Sequence, residues 1–482
     1  MVVKTVFRNT FALTAARIIS MFLTFLLLVF VARNLGSEPF GNYNFALILV
    51  SFFIIVAEFG FSNLVIRDVA KEKSRVQKYL SNVLVLRFLL VIAALLVLVL
   101  FIENSNYSPH LKTIVYIVAL ASFINSLSQV FRYHFQSFEV MEFESLVVII
   151  QSIIFFLFGM LVLLQGFGLL EVVIVYLFAN IVSFILSVFL VLTKISRFSW
   201  NIDFKLWRSL LLDGFIFALI TIFLLVYTKI NVLFLEHFFG SAVVGLYTAS
   251  QRLVESLIVI QTNFLIAIYP ALSVSFHADK VRFFRLFEKS FKLLVVVGLP
   301  IAVFLFIAAE KIVLFIYGVE FLESVAVLRV ISWIVPLSFL NGLLFYSLFA
   351  VNKQRAVAAI FCVIALLGLL LNFYLVPLFG LLGASVSFLA SEALLFILAF
   401  HFFSTNIFRV NLTETLFKPA LWNAFTAFLI MGMLLLDTPI ILLFLLSVAF
   451  YAVPLYPLGI IDKTDVALIK QVLPKTMQKV SQ

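Results

Sequence analysis

The feature that most constrains this chain is a succession of apolar runs, each about 20 residues long, which is the length of helix that spans a bilayer. In hydrocarbon every backbone polar group must be hydrogen-bonded within the protein, so runs of this kind fold as helices. Hydrophobic residues make up 65% of the chain and charged residues 12%, with a mean hydropathy of +1.23. Soluble proteins are roughly half apolar and a quarter charged. The sequence therefore predicts an all-α, polytopic integral membrane protein.

Hydropathy predicts about fourteen transmembrane helices along the 482 residues. The first run is interpreted as a retained span, because it ends at Arg33 without the small-residue cleavage site of a signal peptide. The single cysteine, Cys362, lies in an apolar run and excludes a disulfide framework. The predicted spans are 10–32, 43–66, 80–102, 113–133, 145–165, 170–192, 209–229, 242–268, 290–309, 324–350, 357–376, 383–403, 419–436 and 440–460.

The distribution of Lys and Arg sets the predicted orientation. With the N-terminus inside, 25 of the 33 basic residues fall in inner loops and at inner helix ends, and 4 fall at outer ends. Arg17, Arg87, Arg252 and Arg329 fall within predicted spans. Cytoplasmic loops are enriched in Lys and Arg, so this bias predicts an even number of spans with both termini cytoplasmic. The net charge of +10 is thereby explained by orientation, and binding of nucleic acid is not expected.

The chain also repeats itself. Residues 36–43 and 240–247 both read G-S-x-x-x-G-x-Y, and 167–170 and 379–382 both read F-G-L-L. The two pairs lie at nearly equal offsets and at equivalent predicted loops, which indicates a duplicated six-helix unit. Two repeats with an even number of spans have the same orientation and are related by an axis near the membrane normal.

The repeat predicts two lobes around a central cavity, followed by two extra helices. Gly36, Gly41, Gly240 and Gly245 are predicted loop or hinge positions, since glycine permits tight turns. The predicted segments are an N-terminal lobe (1–192), a cytoplasmic amphipathic linker (193–208), a C-terminal lobe (209–403), extra helices (404–460) and a cytoplasmic basic tail (461–482).

Several short stretches occur in an order that resembles a known family. They are Ala32–Gly36 with Phe40–Tyr43, Ala57–Phe61 with Arg67, Val244–Tyr247 with Gln251–Leu253, Ala267–Ser273, and Phe379–Gly380 with Gly383–Ala384 and Ser391–Glu392. Together they resemble the polysaccharide-unit flippases of the Wzx type, within the multidrug/oligosaccharidyl-lipid/polysaccharide exporter superfamily. One departure is Asn231, which stands where related proteins often carry an acid.

The resemblance implies transport of a polyprenyl-phosphate- or diphosphate-linked oligosaccharide from the inner to the outer leaflet by alternating access. A lipid II flippase and an ion-coupled multidrug exporter of the same superfamily remain alternatives. A membrane glycosyltransferase or polymerase is an alternative of another class, but its expected large outer loop is missing from the sequence. Motifs of ATPases, zinc sites and serine hydrolases are also missing, so neither an enzyme nor a metal or organic cofactor is expected.

Three basic residues are candidates for binding the substrate phosphate. An arginine suits phosphate because it stays charged and offers a fork of donors. Arg17 lies about 9 Å into the first span at 1.5 Å per residue, and contact with substrate and extension to the inner interface are both open. Arg252 lies deeper, in the eighth span. Lys229 binds phosphate or caps the outer end of the seventh. Arg87, near the inner end of the third span, is expected to extend to the interface.

Three acids are candidates for coupling to H⁺ or Na⁺ or for balancing the arginines, because carboxylates within a membrane take up protons readily. Glu58 and Asp213 are predicted to couple or to pair with Arg17, and Glu255 lies on the same helix face as Arg252. Glu392 is interpreted first as a structural, hydrogen-bonded residue and second as a coupling group. The sequence carries no signal for an oligomeric state.

Overall fold

The computed structural model describes residues 2–408, 412–462 and 465, and within them every regular element is helical. Contacts divide the chain into two compact units, Met1–Gly245 and Leu246–Gln482. The boundary falls inside a helix rather than in the predicted linker. The lobes predicted at 1–192 and 209–403 stay a prediction, and the predicted tail lies mostly outside the described residues.

The first unit consists of eight helices and the start of a ninth. Their bounds are α1 Val2–Leu35, α2 Ser37–Ile54, α3 Phe61–Lys71, α4 Val76–Glu103, α5 Pro109–Ser137, α6 Met141–Leu164, α7 Leu169–Lys194, α8 Phe204–Phe239 and α9 Ser241–Ala278. Short 3₁₀ turns at Ile55–Ala57 and Lys73–Arg75 flank α3.

The second unit continues α9 and adds seven helices. They are α10 Lys280–Ile307, α11 Ala309–Ile316, α12 Ser324–Ile331, α13 Ile334–Ala350, α14 Gln354–Asn406, α15 Leu412–Leu435 and α16 Ile440–Ala452, with 3₁₀ turns at Val319–Phe321 and Val453–Leu455. The long α14 is two helical arms, because Gly380 between them has φ 53° and ψ −124°.

The described residues contain twelve helices that are long and apolar enough to cross a membrane. One of these is α14, whose two arms each have the length of a span, and the shorter apolar stretch Ile440–Leu455 adds another. Counted in this way, the described residues contain fourteen apolar helical segments, the last of which is shorter than the others. The prediction of a polytopic protein of about fourteen helices is confirmed.

The second predicted span, 43–66, is broken in the structure. The helix α2 ends at Ile54, and Phe59 (φ 38°) and Gly60 (φ 67°) lie in the left-handed region before α3 begins. Gly214 of α8 packs against this break, since a Cβ built on it would lie 2.0 Å from the Phe59 carbonyl oxygen. Hydropathy did not reveal the break, because the sequence is apolar on both sides of it and the contact with α8 joins residues far apart in the chain.

The connection between α7 and α8 is bound to α4 of the same unit. Asn82 donates to the Asn201 carbonyl (2.6 Å), and its own side-chain oxygen accepts from the Asp203 amide (2.7 Å). Asp203 caps α8 and pairs with Lys78 at 2.6 Å, and the hydrogen bond from Lys78 lowers the pKa of Asp203. The segment predicted as a linker is therefore anchored to the first unit.

Candidate functional site

A cluster of arginines and glutamates lies in the first unit, toward the end at which α1 begins. Arg17 of α1 pairs with Glu144 of α6 at 3.2 Å. Gln136 of α5 donates to both Glu144 carboxylate oxygens, at 3.0 and 2.8 Å. The side chain of Arg17 is 58% exposed and that of Glu144 only 5%. The buried carboxylate thus holds an accessible guanidinium in place.

A second guanidinium lies on the same side of α5. Arg132 donates to the Asn125 side-chain oxygen at 2.9 Å and interacts electrostatically with Glu144. Glu144 therefore acts on two arginines from two helices. The two guanidinium groups also repel each other, so the intervening carboxylate is what makes their proximity favourable.

Arg87 of α4 is fully buried at the centre of a polar network. It donates to the Ser126 hydroxyl and the Tyr133 hydroxyl, both at 2.7 Å, and to Gln129 at 3.2 Å. Its ion pair with Glu58 is 3.1 Å long, and Glu58 is 39% exposed. The prediction that Arg87 extends to the interface is wrong, because α5 supplies enough acceptors to hold the charge inside.

The cluster can bind an anion. Three arginines against two glutamates leave one net positive charge among Arg17, Arg87, Arg132, Glu58 and Glu144. A guanidinium carries five N–H donors in a planar fork, so Arg17 can bind a phosphate while it remains paired with Glu144. The half-exposed edge of the cluster, at Arg17 and Glu58, is where such a ligand has access.

The acids predicted to balance Arg17 have other partners. Glu58 balances Arg87, and Asp213 accepts a hydrogen bond from the Ser209 hydroxyl at 3.0 Å on the exposed face of α8. The partner of Arg17 is Glu144, 127 residues away, which sequence reasoning missed. One signal was present in α5, whose polar residues recur on one helical face: Asn125, Gln129, Arg132 and Gln136.

The remaining charged candidates lie on long helices and are half-buried. Lys229 is on α8 in the first unit, and Arg252 and Glu255 are on α9 in the second. Arg252 interacts electrostatically with Tyr317, which follows α11. Their roles in substrate binding and coupling stay predictions.

The repeated glycine motif forms a reciprocal contact within the first unit. Gly36 and Gly240 have nearly the same backbone conformation, with φ 88° and 81° and ψ close to 180°. Only glycine favours this conformation. Gly41 and Gly245 are the fifth residues of α2 and α9 and lie within these helices rather than in the loops. A Cβ built on Gly41 would lie 1.7 Å from the Ser241 carbonyl oxygen, and one built on Gly245 would lie 2.0 Å from that of Ser37.

The second unit contains an apolar cavity of about 600 Å³. Its walls come from α9, α10, α11, α15 and α16, so the two helices that follow the repeat form one side of it. Most of the lining is Leu, Ile, Val and Phe, and the polar lining residues are Ser256, Asn423, Thr426, Ser447 and Tyr451. A cavity of this composition suits a hydrocarbon chain rather than a charged group.

Comparison with known proteins agrees with this architecture. A curated protein of Escherichia coli (strain K12), named "Putative O-antigen transporter", is 25% identical over 421 residues, which are 83% of this chain and 97% of that protein. The solved structure of a lipid II flippase, MurJ in an inward closed conformation, superimposes with a TM-score of 0.74 at 16% identity, over 91% of this chain and 96% of that one.

A multidrug resistance transporter of the MATE family, solved in an inward-facing conformation, superimposes with a TM-score of 0.66 at 12% identity, over 80% of this chain and 94% of that one. These matched proteins are transporters and flippases, not enzymes. Residues 6–276 match the family described as "Polysaccharide biosynthesis protein". The chain thus belongs to this family of polysaccharide biosynthesis proteins, and it shares the fold of the lipid II flippase and of the multidrug transporter of the MOP superfamily.

Proposed function

We propose that this protein moves a polyprenyl-phosphate- or diphosphate-linked oligosaccharide from the cytoplasmic to the outer leaflet by alternating access. The observation that carries the proposal is the Arg17–Glu144–Arg132 cluster, a cationic and partly exposed site inside an apolar helical bundle. Charged groups are expensive at membrane depth and mark substrate pathways. A phosphate linkage is the part of this substrate that most needs such a site.

The apolar cavity of the second unit supports the lipid part of the proposal. An isoprenoid tail has no hydrogen-bonding groups, and the cavity offers predominantly apolar walls over about 600 Å³. Each buried methylene contributes about 0.8 kcal/mol. We propose that α15 and α16 provide one wall of a binding site for the tail.

The predicted orientation completes the proposal. Both termini are proposed to be cytoplasmic in the cell membrane, which follows from the bias of 25 inner against 4 outer basic residues. The end of α1 that carries Arg17 then opens toward the compartment in which the lipid-linked sugar is made. Proton or sodium coupling would drive transport, and it is proposed on the basis of the acids within the spans.

The test uses the protein reconstituted in vesicles that contain a polyprenyl-diphosphate sugar with a fluorescent label. Externally added dithionite quenches label in the outer leaflet, so the quenched fraction reports flipping. Arg17→Ala removes a charge-assisted contact of about 1.5–3 kcal/mol, so we expect the initial rate to fall about ten- to a hundredfold. Arg17→Lys keeps the charge without the fork and should retain an intermediate rate.

Arg197→Ala is the matched control, because Arg197 is an exposed arginine in the connection between α7 and α8. It should flip the labelled lipid at the wild-type rate. Equal rates for Arg17→Ala and Arg197→Ala would contradict the assignment of Arg17. Transport of a cationic dye with no flipping of any polyprenyl lipid would favour the multidrug exporter. A marked preference for labelled lipid II would identify the closely related alternative.

A further inference from the structure

The connection between α7 and α8 presents a row of exposed apolar side chains. Trp200 is 76% exposed, Ile202 45% and Phe204 72%. These residues alternate along a stretch without helix that ends where α8 begins, and Asp203 within it has an extended backbone, with φ −126° and ψ 102°. Alternate side chains of an extended chain lie on the same side. The three side chains therefore form one apolar edge on the surface of the first unit.

This apolar edge is held in place by α4. The Asn82 side chain donates to the Asn201 carbonyl at 2.6 Å and accepts from the Asp203 amide at 2.7 Å, as a neighbouring strand would. The Ser81 hydroxyl donates to the same Asn201 carbonyl at 3.2 Å. These hydrogen bonds fix the backbone of the edge, so its apolar side chains are exposed on a segment that is bound to the first unit.

The apolar edge lies outside the protein core and at the level of the lipid headgroups. Its neighbours Phe198, Leu206 and Trp207 pack against the hydrophobic core of the first unit. The seventh predicted span begins at residue 209, so Phe204 lies about 7.5 Å before it at 1.5 Å per residue. Lipid headgroups occupy about 5–7 Å on each side of the hydrocarbon. Exposed apolar patches mark surfaces that contact a membrane or a partner, and this depth favours a lipid.

Two basic residues follow the apolar edge at the start of α8. Lys205 and Arg208 are three positions apart, which places them on one face of the helix, and both are exposed. Neither side chain forms an ion pair within the residues that the structure describes. The acid that precedes them, Asp203, pairs with Lys78 at 2.6 Å and caps α8. The surface beside the edge thus carries two positive charges that no ion pair offsets.

We propose that Trp200, Ile202, Phe204, Lys205 and Arg208 form a binding surface for an anionic phospholipid of the adjacent leaflet. The three apolar side chains contact the glycerol backbone and the first methylenes of the acyl chains. Lys205 and Arg208 bind the phosphate, which the planar fork of Arg208 can contact through two N–H groups. Tryptophan is common at this depth, because its ring is apolar and carries one polar group.

The charges of this surface favour an anionic lipid over a zwitterionic one. In phosphatidylcholine a quaternary ammonium group offsets the phosphate, whereas phosphatidylglycerol keeps its full negative charge. Each Lys or Arg near a membrane surface strengthens the binding of anionic lipid about fivefold. The surface contains none of the residues of the proposed anion site, so the inference does not rest on the proposed function.

The test measures contact between Trp200 and lipids in the full-length protein reconstituted into bilayers, and it needs no transport substrate. A fixed fraction of the lipid carries bromine near the headgroup end of one acyl chain, and bromine quenches a tryptophan that it contacts. The chain has four tryptophans, so the signal of Trp200 is the part of the fluorescence that Trp200→Phe removes. At equal mole fraction we expect brominated phosphatidylglycerol to be enriched at Trp200 about fivefold or more over brominated phosphatidylcholine.

The double variant Lys205→Gln, Arg208→Gln should reduce this enrichment to about one, because it removes the charges that select the lipid. In the wild type, about 1 M salt should also reduce it, because the Debye length falls to about 3 Å. Lys112→Gln is the matched control. This lysine pairs with Glu103 at 3.7 Å at the other end of α4, and its loss should leave the enrichment unchanged.

Equal quenching of Trp200 by the two lipids in the wild type would overturn the proposal. The absence of quenching by either lipid would also overturn it, because Trp200 would then face water or another protein. An enrichment of phosphatidylglycerol that persists in the double variant would overturn the assignment of lipid selection to Lys205 and Arg208.

Discussion

Two arginine–carboxylate pairs in the first unit have similar N–O distances, but one arginine is buried and the other is exposed. Arg87 is fully buried and pairs with Glu58 at 3.1 Å. Arg67 is 55% exposed and pairs with Asp68 at the shorter distance of 2.7 Å. We expect Arg87→Met to destabilise the protein far more than Arg67→Met, although the Arg67 pair has the closer contact.

The magnitude follows from the partners that each substitution leaves behind. Without Arg87, the buried hydroxyls of Ser126 and Tyr133 each lose a hydrogen-bond partner, at about 1–3 kcal/mol for a group left unsatisfied. Tyr133 keeps a bond to Gln129, which reduces its share. Glu58 is half-exposed and regains water, so the total should be about 3 kcal/mol, the lower end of the range for a broken buried pair. An exposed pair contributes about 0–1 kcal/mol.

The assay is the apparent free energy of unfolding in mixed detergent micelles titrated with dodecyl sulfate and followed by circular dichroism. The double variant Arg87→Met, Glu58→Met should recover part of the loss, since replacing both members of a buried pair by apolar residues is often close to neutral. Equal destabilisation by Arg87→Met and Arg67→Met would refute the argument that burial decides the contribution of each pair.

Four further outcomes can be checked with single substitutions. A methyl group on Gly41 meets a backbone oxygen at 1.7 Å, so Gly41→Ala should lower stability by about 1–3 kcal/mol in the same titration. Gly432→Ala, with open space around it, should raise stability by up to about 1 kcal/mol. Arg252→Ala should abolish complementation of a flippase-deficient strain without loss of membrane insertion, whereas the exposed Arg355→Ala should complement. The guanidinium next to Asp68 lowers the pKa of that carboxyl below 3.8, so its contribution is lost as pH falls below about 4; Asp68→Asn should remove this acid dependence of unfolding.

Helices and their number followed from hydropathy, because a bilayer forces the backbone of an apolar run into a helix. One interruption followed as well and another did not. The two arms of α14 separate at Gly380, between the predicted spans 357–376 and 383–403, whereas the break at Phe59–Gly60 lies inside the predicted span 43–66, where a tertiary contact meets it. At Phe59 the contact is the close approach of Gly214, 155 positions away in the chain. The residues around Phe59 therefore do not indicate that Gly214 packs against them.

The candidate site was also predicted only in part, because its arginines bind partners on other helices. Arg17 was recognisable as an arginine within a span, but its partner Glu144 lies on another helix and belongs to a short polar segment at the start of α6. Arg87 was expected at the interface, because a single arginine near a helix end usually extends to water. Its burial depends on three polar side chains of α5, and a search for polar residues on one face of α5 would have found them.

The repeated G-S-x-x-x-G-x-Y motif predicted turns, and the structure gives it a second role that leads to a prediction about coupling. Gly41 packs on Ser241 while Gly245 packs on Ser37, so one close approach of two helix starts depends on both glycines. A methyl group at either position must move the starts of α2 and α9 apart. Once one methyl group has moved them apart, the other has more space. The losses of stability from the two substitutions should therefore not be additive.

The double variant Gly41→Ala, Gly245→Ala should therefore lose clearly less stability than the sum of the two single variants in the dodecyl sulfate titration. Gly41→Ala combined with Gly432→Ala is the control pair, because Gly432 lies in open space on α15 and shares no contact with Gly41. That pair should be additive to within about 0.5 kcal/mol. If both pairs of substitutions are additive, the contacts of Gly41 and Gly245 are energetically independent, and the prediction of coupling is wrong.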